Sequence, residues 1–173
     1  MTISYLEKPA MRFIGFGSEI AQADCYTACP AFWDEAYHQR YARLWAGGEA
    51  ETAAERAVLA NRIGMYALCI DHGRSFTYVI AGRYEGGEVP EGLELYELPE
   101  SEYAVFETQG PLPISLQRLT DRVWNRWYPN EGREFERNGD VSIEVYSSGD
   151  PKSPDYRSAI WLPVKRRTAN FDW

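Results

Sequence analysis

The chain has 173 residues, 45% of them hydrophobic and 14% aromatic, with three cysteines and a formal net charge of −8. That length and apolar content suffice for one well-cored domain or for two fused copies of a small motif. The acidic balance argues against nucleic acid, which needs a basic footprint. No secretory leader pattern and no run of 18 apolar residues is present, so the expectation is a cytoplasmic protein without a membrane span.

In chain order, a short lead-in precedes Met11 to Gly17, an apolar run ended by glycine that reads as a strand. Pro30 is expected to open a helix, where its missing N–H does no harm. Trp33, Tyr37, Tyr41 and Leu44 follow at helical spacing and form one apolar stripe as far as Gly47-Gly48. Ala50 to Ile63 is a second helical stretch, and the double glycine before it suggests a lid. Met65 to Asp71 and Ser75 to Tyr84 flank His72-Gly73-Arg74 and read as a hairpin.

Gly86 to Gly92 punctuates the chain between two halves. Leu93 to Leu98 and Glu102 to Gln109 are strands, and Ile114 to Trp127 is a helix with Leu116, Leu119, Val123 and Trp127 on one face. Val141 to Ser147 and Tyr156 to Val164 form a last hairpin. Strand, helix, strand, strand thus occurs twice, a repeat of element order rather than of sequence. An α+β architecture with pseudo-two-fold symmetry follows, its helices packed over antiparallel sheets and a central cavity where the halves meet.

Within the last hairpin, Val141, Ile143 and Val145 alternate with Ser142, Glu144 and Tyr146. Glu144 is the only carboxylate in that run. If buried, it needs a partner or a raised pKa. The pattern also fits an exposed glutamate on a one-sided strand. Twelve tyrosines and six tryptophans suit an aromatic core as well as a binding cavity. Cys25, Cys29 and Cys69 are read as reduced thiols. Because Cys25 and Cys29 lack a second pair, and His38 and His72 stand apart, neither a metal nor a cofactor is expected.

Seven blocks carry a family resemblance. They are Ala31-Phe32-Trp33, Gly82, Val89-Pro90-Glu91-Gly92-Leu93, Tyr103-Ala104-Val105-Phe106-Glu107 with Gly110-Pro111-Leu112, Trp127 before Pro129, Ile143-Glu144-Val145-Tyr146, and Ile160-Trp161-Leu162-Pro163-Val164. In order and spacing, over nearly the whole chain, they resemble the GyrI-like small-molecule-binding domain. That domain is also the effector-binding part of AraC-type and MerR-type multidrug regulators.

The resemblance implies two fused βαββ (SH2-like) units in a single domain over 1–173, with repeats at about 5–86 and 93–165. It also implies a stand-alone form, since no DNA-binding region precedes the first strand. In drug-sensing members a late-strand glutamate receives lipophilic cations in an aromatic cavity, a role that falls on Glu144. Tyr146 shares its face, and Trp161 is the expected stacking wall. Trp33 and Trp127 are expected to close the cavity from the helices, with Tyr66 and Phe106 as its floor. Glu107 is a second, weaker carboxylate candidate.

The expected partner is a cationic, aromatic small molecule rather than nucleic acid or membrane. The aromatic tail (Phe171, Trp173) leaves room for a protein partner or self-association. Two alternatives stand beside binding. One is hydrolysis of small electrophiles with the same glutamate as general base. The other is a protein-interaction role such as the gyrase inhibition that names the family.

Overall fold

The computed structural model describes residues 1–168. Its framework is one nine-stranded antiparallel sheet. The strands are β1 (Thr2–Lys8), β2 (Met11–Ala21), β3 (Tyr66–Asp71), β4 (Ser75–Arg83), β5 (Glu94–Leu98), β6 (Ser101–Gln109), β7 (Phe135–Arg137), β8 (Val141–Tyr146) and β9 (Arg157–Arg166). Eight run in the order β1-β6-β9-β8-β3-β4-β2-β5, and β7 pairs with the end of β9 that β8 leaves free.

The centre of that order is the β3–β8 pair, where Ala67 lies opposite Glu144. Outward from it, β4 matches β9, β2 matches β6, and β5 matches β1. The two βαββ repeats are therefore related by a pseudo-two-fold, and their sheets join edge to edge into one. The lead-in before Met11 is itself a strand. β1 crosses to pair with β6 in the other half, as β5 pairs with β2. Its pattern is faint because Tyr5 and Leu6 are both exposed on an edge strand.

The first long helix, α1 (Cys25–Trp33), begins five residues before Pro30, which sits inside it. It widens into a π-helical turn at Asp34–Gln39, and α2 (Ala42–Trp45) continues the stripe. The matching helix, α4 (Ile114–Arg122), widens likewise at Val123–Trp127. Such turns recur at functional sites.

Between α2 and β3, α3 (Ala53–Ala60) is fixed by a capping box of Thr52 and Glu55. Its Ala57 and Val58 pack into a core with Ile14, Tyr37 and Ile80. The expected lid is thus a docked helix whose apolar side is already used.

Period-2 alternation gives the sheet two apolar faces. One face carries Phe13, Leu68, Val79, Tyr103, Val105 and Ile143. The other carries the helices over two cores, one in each repeat. In the second core Phe106 packs edge-on to Trp127 at 4.8 Å beneath α4. No helix among the described residues is long and apolar enough to cross a membrane. Phe171 and Trp173 lie outside the described residues.

Candidate functional site

Between α1 and α4, on the helix-bearing face, lies a cavity of about 870 Å³. Three adjacent strands make its floor. β8 contributes Ser142, Glu144 and Tyr146; β3 contributes Cys69; β4 contributes Phe76 and Tyr78. The register explains the grouping, because Cys69 lies opposite both Ser142 and Tyr78, and side chains of directly paired residues share a face.

Glu144 is half-buried and receives three donors. The Tyr78 hydroxyl donates to Oε2 at 3.0 Å, the Tyr146 hydroxyl donates to the same oxygen, and the Cys69 thiol reaches Oε1 at 3.6 Å. The two hydroxyls lie 3.3 Å apart. Tyr78 is oriented in turn by the Trp33 indole N–H, which donates to its oxygen at 2.8 Å.

All these partners are neutral. Among the described residues no lysine, arginine or histidine forms an ion pair with Glu144. Burial raises the carboxyl pKa above its ordinary value, and the hydrogen bonds from Tyr146, Tyr78 and Cys69 partly oppose that rise. Burial beside the carboxylate also holds the Tyr78, Tyr146 and Cys69 protons on well past their usual ranges.

The walls are aromatic and sulfur-rich. α1 supplies Cys25, Cys29 and Trp33, whose ring meets Tyr146 edge-on at 5.1 Å. α4 and its π-helical turn supply Leu116, Thr120 and Trp124. Arg137 also lines the cavity, where it lies over the Trp124 ring at 5.0 Å and is held by Asp71 at 2.7 Å. At the mouth, Tyr26 and Gln117 bridge the two helices.

The structure gathers Glu144, Tyr146 and Trp33 around one cavity and places the other four expected residues elsewhere. Trp161 lies opposite Ile143, one residue off the Glu144 pair, so it points to the other face and packs against Tyr66 at 5.9 Å. Tyr66 lies opposite Val145 and shares that face. Phe106 and Trp127 are both fully buried in the second core, and the tryptophan that faces the cavity from this helix is Trp124. Glu107 is exposed on the face away from the helices.

Sequence reasoning missed Tyr78, Cys69 and Trp124. The alternation Phe76-Tyr78-Ile80 marks Tyr78 as one-faced, but nothing local says which face meets Glu144.

The whole-chain comparisons agree with this architecture. The family model described as Cass2, integron-associated effector binding protein, matches residues 6–164. No curated protein matches the sequence. Among solved structures, SAV2435 bound to tetraphenylphosphonium is similar over 95% of this chain and 94% of that one, with 22% identity and a TM-score of 0.72. An integron cassette protein from the mobile metagenome of Vibrio cholerae covers 94% and 95%, at 17% identity and TM-score 0.66. The C-terminal domain of EcmrR covers 96% and 98%, at 12% identity and TM-score 0.58.

Proposed function

The chain belongs to the family of integron-associated effector binding proteins, and we propose that its effector is an amphipathic, aromatic cation received by Glu144. One observation carries this reading. A half-buried carboxylate faces a large, mostly apolar cavity with several aromatic walls, and among the described residues only neutral groups bind it. Such a carboxylate lacks a counter-charge that a ligand can supply, and its attraction for a cation grows as water is displaced. Trp33, Tyr146 and Trp124 offer ring faces and edges, each cation–π contact adding about 0.5–2 kcal/mol.

Rejection of anions follows from the same charge. A flat, weakly hydrated cation is favoured over ammonium-like ions because most of the cavity surface is apolar. The tetraphenylphosphonium held by SAV2435, a protein of the same fold, supports the reading. The protein would then act as a sequestering or sensing module for such compounds.

The test is a titration calorimetry series with tetraphenylphosphonium and its near-isosteric anion tetraphenylborate. Wild type is expected to bind the cation and reject the anion, and Glu144→Gln to lose about tenfold or more in cation affinity while keeping its fold. Equal binding of both ions, or unchanged affinity in Glu144→Gln, overturns the proposal.

A further inference from the structure

All three cysteines of the chain, from two different elements, line this one cavity. Cys25 and Cys29 stand one turn apart on α1, and Cys69 rises from β3 beside Glu144. All three are free and half-buried. Cys69 differs from the other two, because its thiol donates to the Glu144 carboxylate at 3.6 Å. A thiol, a base positioned for its proton and an aromatic anteroom for a cation therefore coincide.

We propose that Cys69 is a covalent attachment site for soft aromatic organometal cations, of which an arylmercury cation is the type, with Glu144 accepting the thiol proton. The proposal rests on the cation-receiving role given to Glu144 above. The step is a ligand exchange. The S–H bond breaks and its proton passes to Glu144. The sulfur electron pair forms an S–Hg bond, and the labile ligand on mercury departs. Neither carbon, sulfur nor mercury changes oxidation state.

Two features select this class. Thiolates prefer soft metals, yet among the described residues no three histidine, cysteine or carboxylate groups are placed to hold a bare ion. An arylmercury cation brings its own carbon ligand and needs only one thiolate. Its ring suits the Trp33–Tyr146 wall, and its charge suits the floor.

Burial and the neighbouring carboxylate also keep the thiol protonated, so neutral alkylating agents meet an unreactive group. An arriving cation offsets the carboxylate charge and favours the thiolate. The electrophile thus brings its own activation.

The experiment is intact-protein mass spectrometry after brief exposure to one equivalent of phenylmercuric acetate, followed by desalting. Wild type and Cys25→Ser/Cys29→Ser are expected to retain one phenylmercury group. Cys69→Ser and Cys69→Ala are expected to lose it, and Glu144→Gln to label about tenfold or more slowly. Excess tetraphenylphosphonium is expected to protect wild type, and iodoacetamide to label Cys69 poorly.

Unchanged adduct in the Cys69 variants, or an adduct mapped to Cys25 or Cys29, overturns the proposal. If those variants then still bind tetraphenylphosphonium as wild type does, only the covalent step has failed. If wild type does not bind tetraphenylphosphonium, the cation site itself has failed, and any labelling of Cys69 is unguided and counts against the proposal.

Discussion

The Gln117 side-chain amide donates to the Tyr26 main-chain carbonyl at 2.9 Å, and the Tyr26 hydroxyl reaches the Gln117 carbonyl at 3.4 Å. The Tyr26 carbonyl is available because the residue four places on is Pro30, which has no N–H to return to it. A helix-breaking residue inside α1 thus creates the acceptor through which α4 is tied across the cavity mouth. The proline read from the sequence as a helix start has this different use.

Gln117→Ala is expected to remove the tie without touching the floor. Association and dissociation of tetraphenylphosphonium both accelerate several-fold, while the equilibrium affinity moves by less than about threefold. Stopped-flow quenching of tryptophan fluorescence reads both rates. Unchanged rates mean that ligands reach Glu144 by another route.

Cation binding is expected to weaken with acidification. The Glu144 pKa is raised, chiefly by burial. Below that raised value the carboxyl is neutral, and affinity falls about tenfold per pH unit.

Stability of the ligand-free protein responds with the opposite sign. A folded pKa above the unfolded value of about 4.3 means that the folded state binds the proton more tightly. The penalty for the buried charge is absent below the unfolded pKa and complete above the folded one. Glu144→Gln is therefore expected to melt higher than wild type at pH 8, with the gap closing towards pH 4. Paired melting curves isolate Glu144 from Glu19, Glu55 and Asp71, whose pKa values are lowered and shift stability the other way.

Tyr78→Phe is expected to remove one of the three donors to Glu144 and the acceptor of the Trp33 indole together. Hydrogen bonds to charged groups contribute about 1.5–3 kcal/mol, so cation affinity at neutral pH drops roughly tenfold or more. The pH at which affinity is half lost moves upward, because one of the bonds stabilising the carboxylate is gone. Calorimetry across pH 5–8 reads both, and an unmoved pH midpoint would show that Tyr78 does not tune the carboxylate.

Three tryptophans separate wall from core. Trp33→Ala is expected to weaken ligand binding with a modest cost in stability, since the side chain is half-buried at the cavity. Trp127→Ala is expected to destabilise the fold by about 3–5 kcal/mol, because the ring is fully buried against Phe106 and Phe135. Trp161→Phe, on the far face, is expected to leave affinity unchanged. Urea denaturation and calorimetry on the three variants test the face assignments directly.

Much of the architecture was legible because its signals are local. The twofold recurrence of strand, helix, strand, strand predicts the paired βαββ units found in the sheet. The alternation in Val141–Tyr146 places Glu144 and Tyr146 on one face. The starts of α1 and β1 were not legible. Pro30 imitates a helix start, and the exposed side chains of β1 give no contrast between faces.

What the sequence alone determined is which side chains within one strand or helix share a side. The chemical grades follow from that: one carboxylate in an apolar strand, three thiols, and an excess of rings. Only the tertiary structure decided which strands lie side by side and in what register. Glu144 is paired with Ala67 and Ile160, so Tyr78 and Cys69 join it while Trp161, one residue further along β9, turns away. A strand's side-chain period is two, and a one-residue offset sends every side chain to the opposite face. That offset is set by packing between halves more than 60 residues apart in the chain, as in the Tyr78–Glu144 hydrogen bond with a separation of 66.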